Sequence, residues 1–170
     1  MKSAPWPEFD TRSGLLIDTN LLVLFVVGTV NPGRIEVFKR TRKYNKSDYQ
    51  LLFRVMKRLQ PWYTLAHVMA EVSDLADLEG RELIQSRQVL KETLSVLREP
   101  AMASEHTVQN KLYERLGLVD AAIATLAREN KCAVLTDDFR LVHRAESRAN
   151  RGSQFFTPSG ELLGIFRPFA

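Results

Sequence analysis

The chain has 170 residues, the size of one domain, and its 45% hydrophobic and 26% charged residues are typical of a globular protein. Intrinsic disorder of the whole chain is therefore excluded, and the single cysteine, Cys132, excludes disulfides and thiolate metal clusters within one chain. The formal net charge of +4 favours an anionic partner only weakly, because a small surplus can be spread over the surface.

The N-terminal residues lack the apolar region of a signal peptide. The longest apolar run, Leu21 to Val27, is much shorter than the roughly 20 residues that cross a bilayer. We therefore expect a cytoplasmic protein with no membrane partner, folded as one domain over residues 1–170.

The first predicted strand is the apolar run Gly14 to Ile17, which ends abruptly in Asp18-Thr19-Asn20. Short apolar runs of this kind are typical of buried parallel strands. Leu21 to Val27 follows as a short buried helix, although its β-branched residues would suit a strand equally well.

Positive charge is concentrated in the next part of the chain, Arg34 to Arg58, which we call the basic segment. It holds nine Lys or Arg against two acids, a net charge of +7, whereas the rest of the chain carries 15 against 18, a net charge of −3. Ser47 and Gln50 have capping-box spacing, which predicts a helix over residues 48–59. We expect a basic helical insertion at about residues 28–60.

Short strands alternate with helices in the remainder of the chain. Strands are predicted at residues 62–63, 101–104, 132–136 and 154–157, and helices at 65–76 with Thr64 as its cap, 81–98, 106–115, 119–130 and 139–149. Parallel strands need crossover connections, which are usually helices, so this alternation predicts an α/β fold. Such folds bind ligands beyond the carboxyl ends of their strands.

Several acids stand where a functional site would need them, although each has an ordinary structural alternative. Asp18 could cap a helix, and Glu71 could be a solvated helix residue. Asp120 lies in the first turn of a predicted helix, where a carboxylate offsets the helix dipole, and Asp137 and Asp138 could belong to a loop. Asp18 and Asp138 follow two different strands, so they can converge at the carboxyl edge of a parallel sheet.

Four segments together resemble the successive motifs of PIN-domain ribonucleases, in their order and in their strand or helix setting. They are Leu15 to Asn20, His67 to Val72, Leu118 to Ala124 and Val134 to Asp138. The resemblance covers residues 14–157. The resemblance implies a three-layer α/β/α sandwich with a central, mostly parallel sheet. It also implies an enzyme that cuts RNA with Mg²⁺ or Mn²⁺ held by a cluster of acidic residues. Carried over by motif position, the catalytic and metal-binding acids are Asp18, Glu71, Asp120 and Asp138.

Two neighbouring acids compete for the last position of that set. The family pattern has an acid two residues after a threonine, which selects Asp138 after Thr136 and leaves Asp137 as a second choice of metal ligand. Thr136 and Asn20 are expected to hydrogen-bond around the ligands. The histidines have no second ligand at zinc-like spacing, so no zinc site is predicted.

The acidic set also has a chemical reason to bind a metal. Crowded carboxylates repel one another, which raises some of their pKa values unless a divalent cation neutralises them. Hard oxygen ligands favour Mg²⁺ or Mn²⁺ over zinc, and such a cation can activate water for in-line attack on a phosphodiester and stabilise the leaving oxygen. The four acids do not choose between one ion and two.

The basic segment is expected to contact RNA by neutralising phosphates and stacking on bases. A solvated surface or a face for an acidic partner is an equally good explanation of its charge. The connection from Asp18 to Glu71 is longer than in compact PIN toxins, which leaves the subfamily open. The candidate RNA-binding residues are Arg40, Arg42, Lys43, Lys46, Arg54, Lys57 and Arg58.

The leading hypothesis is a metal-dependent endoribonuclease, with the toxin of a toxin–antitoxin pair as a candidate role. Its partners would be RNA, an antitoxin protein and a second copy of the chain in a homodimer. One alternative is a non-catalytic RNA-binding or scaffold PIN domain. Another is a phosphatase of the haloacid-dehalogenase type, which expects Asp-x-Asp where this chain has Asp18-Thr19-Asn20.

Overall fold

The computed structural model describes residues 14–138, Leu141, and the backbone of residues 153–156 and 162–166. Apart from Leu141, the helix predicted over 139–149 lies outside the described residues. Among the residues described, no helix is both long enough and apolar enough to cross a membrane.

The described part of the chain contains short strands and seven helices, five of which follow one another between β2 and β3. A 3-10 turn, Pro32–Arg34, lies between the first two helices. The strands are β1 Leu15–Ile17, β2 Trp62–Tyr63, β3 Ala133–Thr136, β4 Ser153–Phe156 and β5 Leu162–Phe166. The helices are α1 Thr19–Val30, α2 Lys46–Arg58, α3 Ala66–Leu75, α4 Gly80–Leu94, α5 Ser104–Val108, α6 Tyr113–Leu116 and α7 Leu118–Glu129.

The strands form one sheet in the order β2-β1-β3-β5-β4, so the predicted α/β class is confirmed. β1 pairs in parallel with both β2 and β3, whereas β5 runs antiparallel to its neighbours β3 and β4. In the β1–β3 register, Ile17 lies opposite Leu135. Asp18, the residue after β1, therefore lies beside Thr136, the last residue of β3, at the carboxyl edge of the sheet.

The central strands and the first helix form the core that positions this edge. Every residue of β1 and β3 is buried, as expected for strands covered on both faces. α1 contacts α2, α3, α4 and β3, which explains why it is apolar on nearly all sides. A Cβ on Gly28 of α1 would lie 2.4 Å from the ring of Tyr49, so α2 packs closely on α1 only because residue 28 lacks a side chain.

Two predicted helix caps are wrong. α2 begins after Asn45, whose side chain accepts hydrogen bonds from the backbone N–H groups of Ser47 and Asp48, while the Asp48 carboxylate accepts one from the Asn45 N–H. This capping box lies two residues before the predicted one, and it satisfies the N–H groups of Asn45, Ser47 and Asp48. Thr64 does not cap α3, which begins after Leu65 without a side-chain cap.

The predictions are also wrong between α4 and α7. Residues 101–104, all of them described, form no strand, and the predicted helix over 106–115 is divided into α5 and α6. α4 ends at Leu94 instead of Arg98, because residues 95–97 turn the chain so that Arg98 can bridge to Tyr63 beside β2. β5 was not anticipated, and it extends the sheet beyond β3.

Candidate functional site

An open cleft of about 510 Å³ lies at the carboxyl edge of the sheet. Its acidic side comes from four separate parts of the chain, and Leu75, Leu116, Leu118 and Val119 form an apolar wall. The four acids carried over from the PIN motifs all line this cleft, together with a fifth that the sequence analysis did not select. The five are Asp18, Glu71, Asp74, Asp120 and Asp138.

Asp18 is the most enclosed of these acids, with 6% of its surface exposed. It caps α1, since its Oδ1 accepts a hydrogen bond of 2.6 Å from the Thr19 N–H, and its Oδ2 accepts one of 2.5 Å from the Thr136 hydroxyl. Burial, with a further contribution from the charges of Asp137 and Asp120, raises the pKa of Asp18 to about 7, although both hydrogen bonds act in the opposite direction. Asp18 is thus a carboxyl group in an environment that disfavours an uncompensated charge.

Glu71 and Asp74 lie one turn apart on α3 and face the same cleft. Glu71 is exposed, and its Oε2 accepts a hydrogen bond of 2.9 Å from the Thr19 hydroxyl, which ties α3 to the start of α1. Asp74 was missed by the sequence analysis. The i, i+3 spacing of the two acids was the available signal, because residues three apart share a helix face.

Asp120 is half-buried in the first turn of α7. Gly117 separates α6 from α7 with a φ of +82°, a conformation that glycine adopts without strain, and α7 begins directly after it. The first turn of α7 therefore faces the cleft, where the charge of Asp120 helps to raise the pKa of Asp18. Asp120 can therefore offset the dipole of α7 and line the cleft at the same time.

Asp138 reaches the cleft through a turn fixed by Thr136. The Thr136 hydroxyl accepts a hydrogen bond of 2.9 Å from the Asp138 N–H while it donates to Asp18. The Asp138 Oδ1 accepts a hydrogen bond of 3.4 Å from the Leu141 N–H. Thr136, which was expected to hydrogen-bond around the ligands, contacts the carboxylate of Asp18 and the backbone of Asp138.

Asp137, the second-choice ligand, has a different environment from the four selected acids. Its side chain is 1% exposed and does not line the cleft. One oxygen accepts from the side chains of Lys43 and Tyr44, and the other accepts a hydrogen bond of 3.1 Å from the Asn20 amide. Asn20 therefore hydrogen-bonds to Asp137 instead of to one of the four selected acids.

The cleft offers carboxylate oxygens, the ligand atoms that a hard divalent cation prefers, but these oxygens are not arranged as a complete coordination sphere. Within the described part of the chain, no three His, Cys, Asp or Glu side chains stand close enough together to form a metal site as they are placed. The acids that line the cleft are nevertheless all oxygen donors, and burial raises the pKa of Asp18, which disfavours an uncompensated negative charge there. Asp18, Glu71, Asp120 and Asp138 are the residues that would hold Mg²⁺ or Mn²⁺, with Asp74 beside them.

The basic segment lies next to this edge through its contact with Asp137. All seven candidate RNA-binding residues are exposed, whereas Ile35, Thr41 and Tyr44 within the segment are buried. Arg34 at its start forms an ion pair of 2.5 Å with Glu82 of α4. The segment is thus packed on the body of the protein, where Arg34 and Lys43 pair with acids outside the segment and the remaining candidate RNA-binding cations are exposed.

No model of a known protein family, no curated protein and no solved structure is significantly similar to this chain. Its function has to be argued from its own residues.

Proposed function

We propose that the protein is a metal-dependent endoribonuclease with a PIN-like α/β/α architecture. The observation that supports this most directly is the convergence of Asp18, Glu71, Asp120 and Asp138 in one cleft, although they come from parts of the chain up to 120 residues apart. Carboxylates gathered at one end of a parallel sheet repel one another, and such an arrangement is favourable when it serves a cation.

Different residues of the chain would have different roles in this reaction. Mg²⁺ or Mn²⁺, when bound, would supply charge stabilisation for hydrolysis of the phosphodiester. The hydrogen bonds from Thr19 and Thr136 orient Asp18 and so hold the central carboxyl group in one direction. The Thr19 hydroxyl orients Glu71 in the same way. Exposed cations of the basic segment would bind the RNA backbone and so offset the negative charge of the cleft.

In this proposal the substrate is RNA, and the biological role is that of a toxin inhibited by an antitoxin protein. A homodimer and a cytoplasmic location belong to the same proposal. All of these roles depend on the nuclease activity.

The decisive experiment is incubation of a mixed RNA pool with the purified protein and Mg²⁺ or Mn²⁺. The wild type should release fragments with 5′-phosphate and 3′-hydroxyl ends, and both chelation and the variants Asp18→Asn and Asp138→Asn should abolish cleavage. Asp77→Asn is the matched control, because Asp77 is an exposed acid outside the cleft lining. Cleavage that survives chelation and both cleft variants would falsify the proposed site.

A non-catalytic RNA-binding domain is the second candidate. It is favoured by the lack, among the residues that the structure describes, of three acids already placed as metal ligands. In that case the wild type would bind RNA in a salt-dependent manner without cleaving it in either metal. Hydrolysis of a phosphate monoester without RNA cleavage would instead indicate the phosphatase.

A further inference from the structure

We propose that Asp137 is a positioning residue that holds the basic segment against the acidic cleft. It would thereby set where RNA bound by Arg40 and Arg42 lies relative to the four cleft acids. The positioning role of Asp137 is a property of the fold, whereas its consequence for RNA rests on the proposed function.

The first support is the number of donors that converge on one buried carboxylate. Asp137 directly follows Thr136 at the end of β3, and its side chain is 1% exposed. Lys43 and Tyr44 donate to its Oδ2, and Asn20 donates to its Oδ1. A buried carboxylate is stable only when it is paired and hydrogen-bonded, so these donors are held in place by the group they satisfy.

The second support is the rigidity of the segment on the other side of these contacts. Tyr44 is 1% exposed and belongs to the main hydrophobic core. Its N–H donates to the Thr41 carbonyl at 2.8 Å, and the buried Thr41 hydroxyl donates to the Ile35 carbonyl at 2.8 Å. Residues 35–44 therefore form a turn with its own internal hydrogen bonds, and a fixed Tyr44 fixes the turn.

The third support is where this turn carries its charge. Arg40 and Arg42 flank the buried Thr41 and are both exposed, so the buried residues between and beside them fix where the backbone presents these two cations. Lys43 is the exception, since its ammonium group pairs with Asp137 while 40% of its side chain remains exposed. Lys43 thus contributes to holding the segment, beyond any contact with phosphate.

The remaining contact joins this arrangement to the cleft. Asn20 lies two residues after Asp18, in the first turn of α1 that Asp18 caps. Asp137 consequently connects three parts of the chain, namely the end of β3, the start of α1 and the basic segment. A change at Asp137 is expected to alter the relation between bound RNA and the cleft without removing any of the cleft acids.

The test compares Asp137→Asn and Tyr44→Phe with the wild type by amide hydrogen exchange over residues 35–44. Tyr44→Phe keeps the buried ring and the net charge and removes only the hydroxyl donor. Both variants should exchange faster in this turn, because its contact with the sheet is weakened. Arg42→Ala is the matched control, since it removes an exposed cation of the same turn and should leave the exchange unchanged.

Binding of a single-stranded RNA oligonucleotide, measured in chelator, supplies the functional readout. Both variants should weaken binding by about threefold to tenfold, because side chains freed from the turn must be ordered again when RNA binds. If charge alone mattered, Asp137→Asn would bind RNA more tightly, because it removes a negative charge beside the basic segment. Tyr44→Phe would then bind RNA as the wild type does, because its charge is unchanged. If Asp137 acted only as a metal ligand, Tyr44→Phe would also bind RNA in chelator as the wild type does.

The outcomes separate this proposal from the nuclease proposal. Unchanged exchange over residues 35–44 in both variants would overturn the positioning role, whether or not the protein cleaves RNA. Unchanged or tighter RNA binding in both variants would overturn the consequence for RNA. If the wild type bound no RNA, that consequence would fail together with the proposed function, whereas faster exchange in the variants would still support the positioning role.

Discussion

The hydroxyl of Thr136 donates a hydrogen bond of 2.5 Å to the Oδ2 of Asp18, so the ends of two neighbouring parallel strands are joined although the residues are 118 positions apart. The same hydroxyl accepts from the Asp138 N–H. One buried side chain thus orients two of the candidate ligands. Asp18 and Asp138 are therefore held by the strand pairing of β1 with β3 as well as by their own turns.

Replacement of Thr136 by valine should raise the pKa of Asp18 further above its ordinary value. The hydrogen bond from Thr136 lowers that pKa, so its removal acts in the same direction as burial. The free energy of unfolding should fall by about 1–3 kcal/mol, because buried hydrogen-bonding groups lose a partner. Titration of the Asp18 carboxyl by NMR and urea unfolding measure the two effects.

The control for this prediction is Thr136→Ser, which keeps the hydroxyl and should stay near the wild type in both measurements. An unshifted Asp18 pKa in Thr136→Val would show that the hydrogen bond does not hold the carboxylate.

The Asp18→Asn variant should remove a pH dependence of stability from the metal-free protein. The folded protein binds a proton at Asp18 up to about pH 7, whereas the unfolded chain releases it near pH 3.8. Unfolding therefore releases a proton between these values, and the wild type loses stability as pH rises through this window, by about 4 kcal/mol at 1.36 kcal/mol per pKa unit.

Chemical unfolding at pH 4 and pH 8 in chelator checks this prediction. Asp18→Asn should be the more stable protein at pH 8, and the difference should shrink towards pH 4, where Asp18 is protonated in the folded state. Parallel pH profiles for the two proteins would contradict the raised pKa.

Asp74→Asn should weaken Mn²⁺ binding by about tenfold, the lower end of what groups beside a metal site commonly contribute. Asp74 lines the cleft one turn from Glu71, so its charge attracts a cation there even without direct ligation. The shift in melting temperature on Mn²⁺ titration measures the affinity, because a ligand that binds only the folded state stabilises it. Asp77→Asn should titrate like the wild type, and an identical curve for Asp74→Asn would exclude Asp74 from the site.

The double variant Arg40→Ala and Arg42→Ala should flatten the salt dependence of RNA binding. Each lost phosphate contact to single-stranded RNA reduces the slope of log K against log salt by about 0.7, which makes about 1.4 for two contacts. A matched double variant on α4, Arg81→Ala and Arg87→Ala, removes two exposed cations outside the basic segment and should keep the wild-type slope. Equal slopes for all three proteins would favour a solvated basic surface.

Much of the fold could be predicted because burial leaves a periodic pattern in a single segment. The apolar runs of β1 and β3 and the i, i+3, i+4 spacing of α7 each require only their own residues to be recognised. The helix caps and the turns between α4 and α7 were predicted wrongly. The end of α4 shows why: it depends on a contact with a residue far along the chain, the bridge of Arg98 to Tyr63, which no local pattern reveals.

The sequence by itself determined that carboxylates follow two buried strands and begin or lie on two helices, and that one segment is strongly basic. Only the tertiary structure decided that Asp74 joins the cleft, that Asp137 turns away from it to Lys43 and Tyr44, and that the pKa of Asp18 is raised. The physical reason is the distance along the chain over which each property is decided. Periodicity reports how one segment meets the core, whereas the partner of a carboxylate and the free energy of its charge depend on groups that the fold brings from far along the chain.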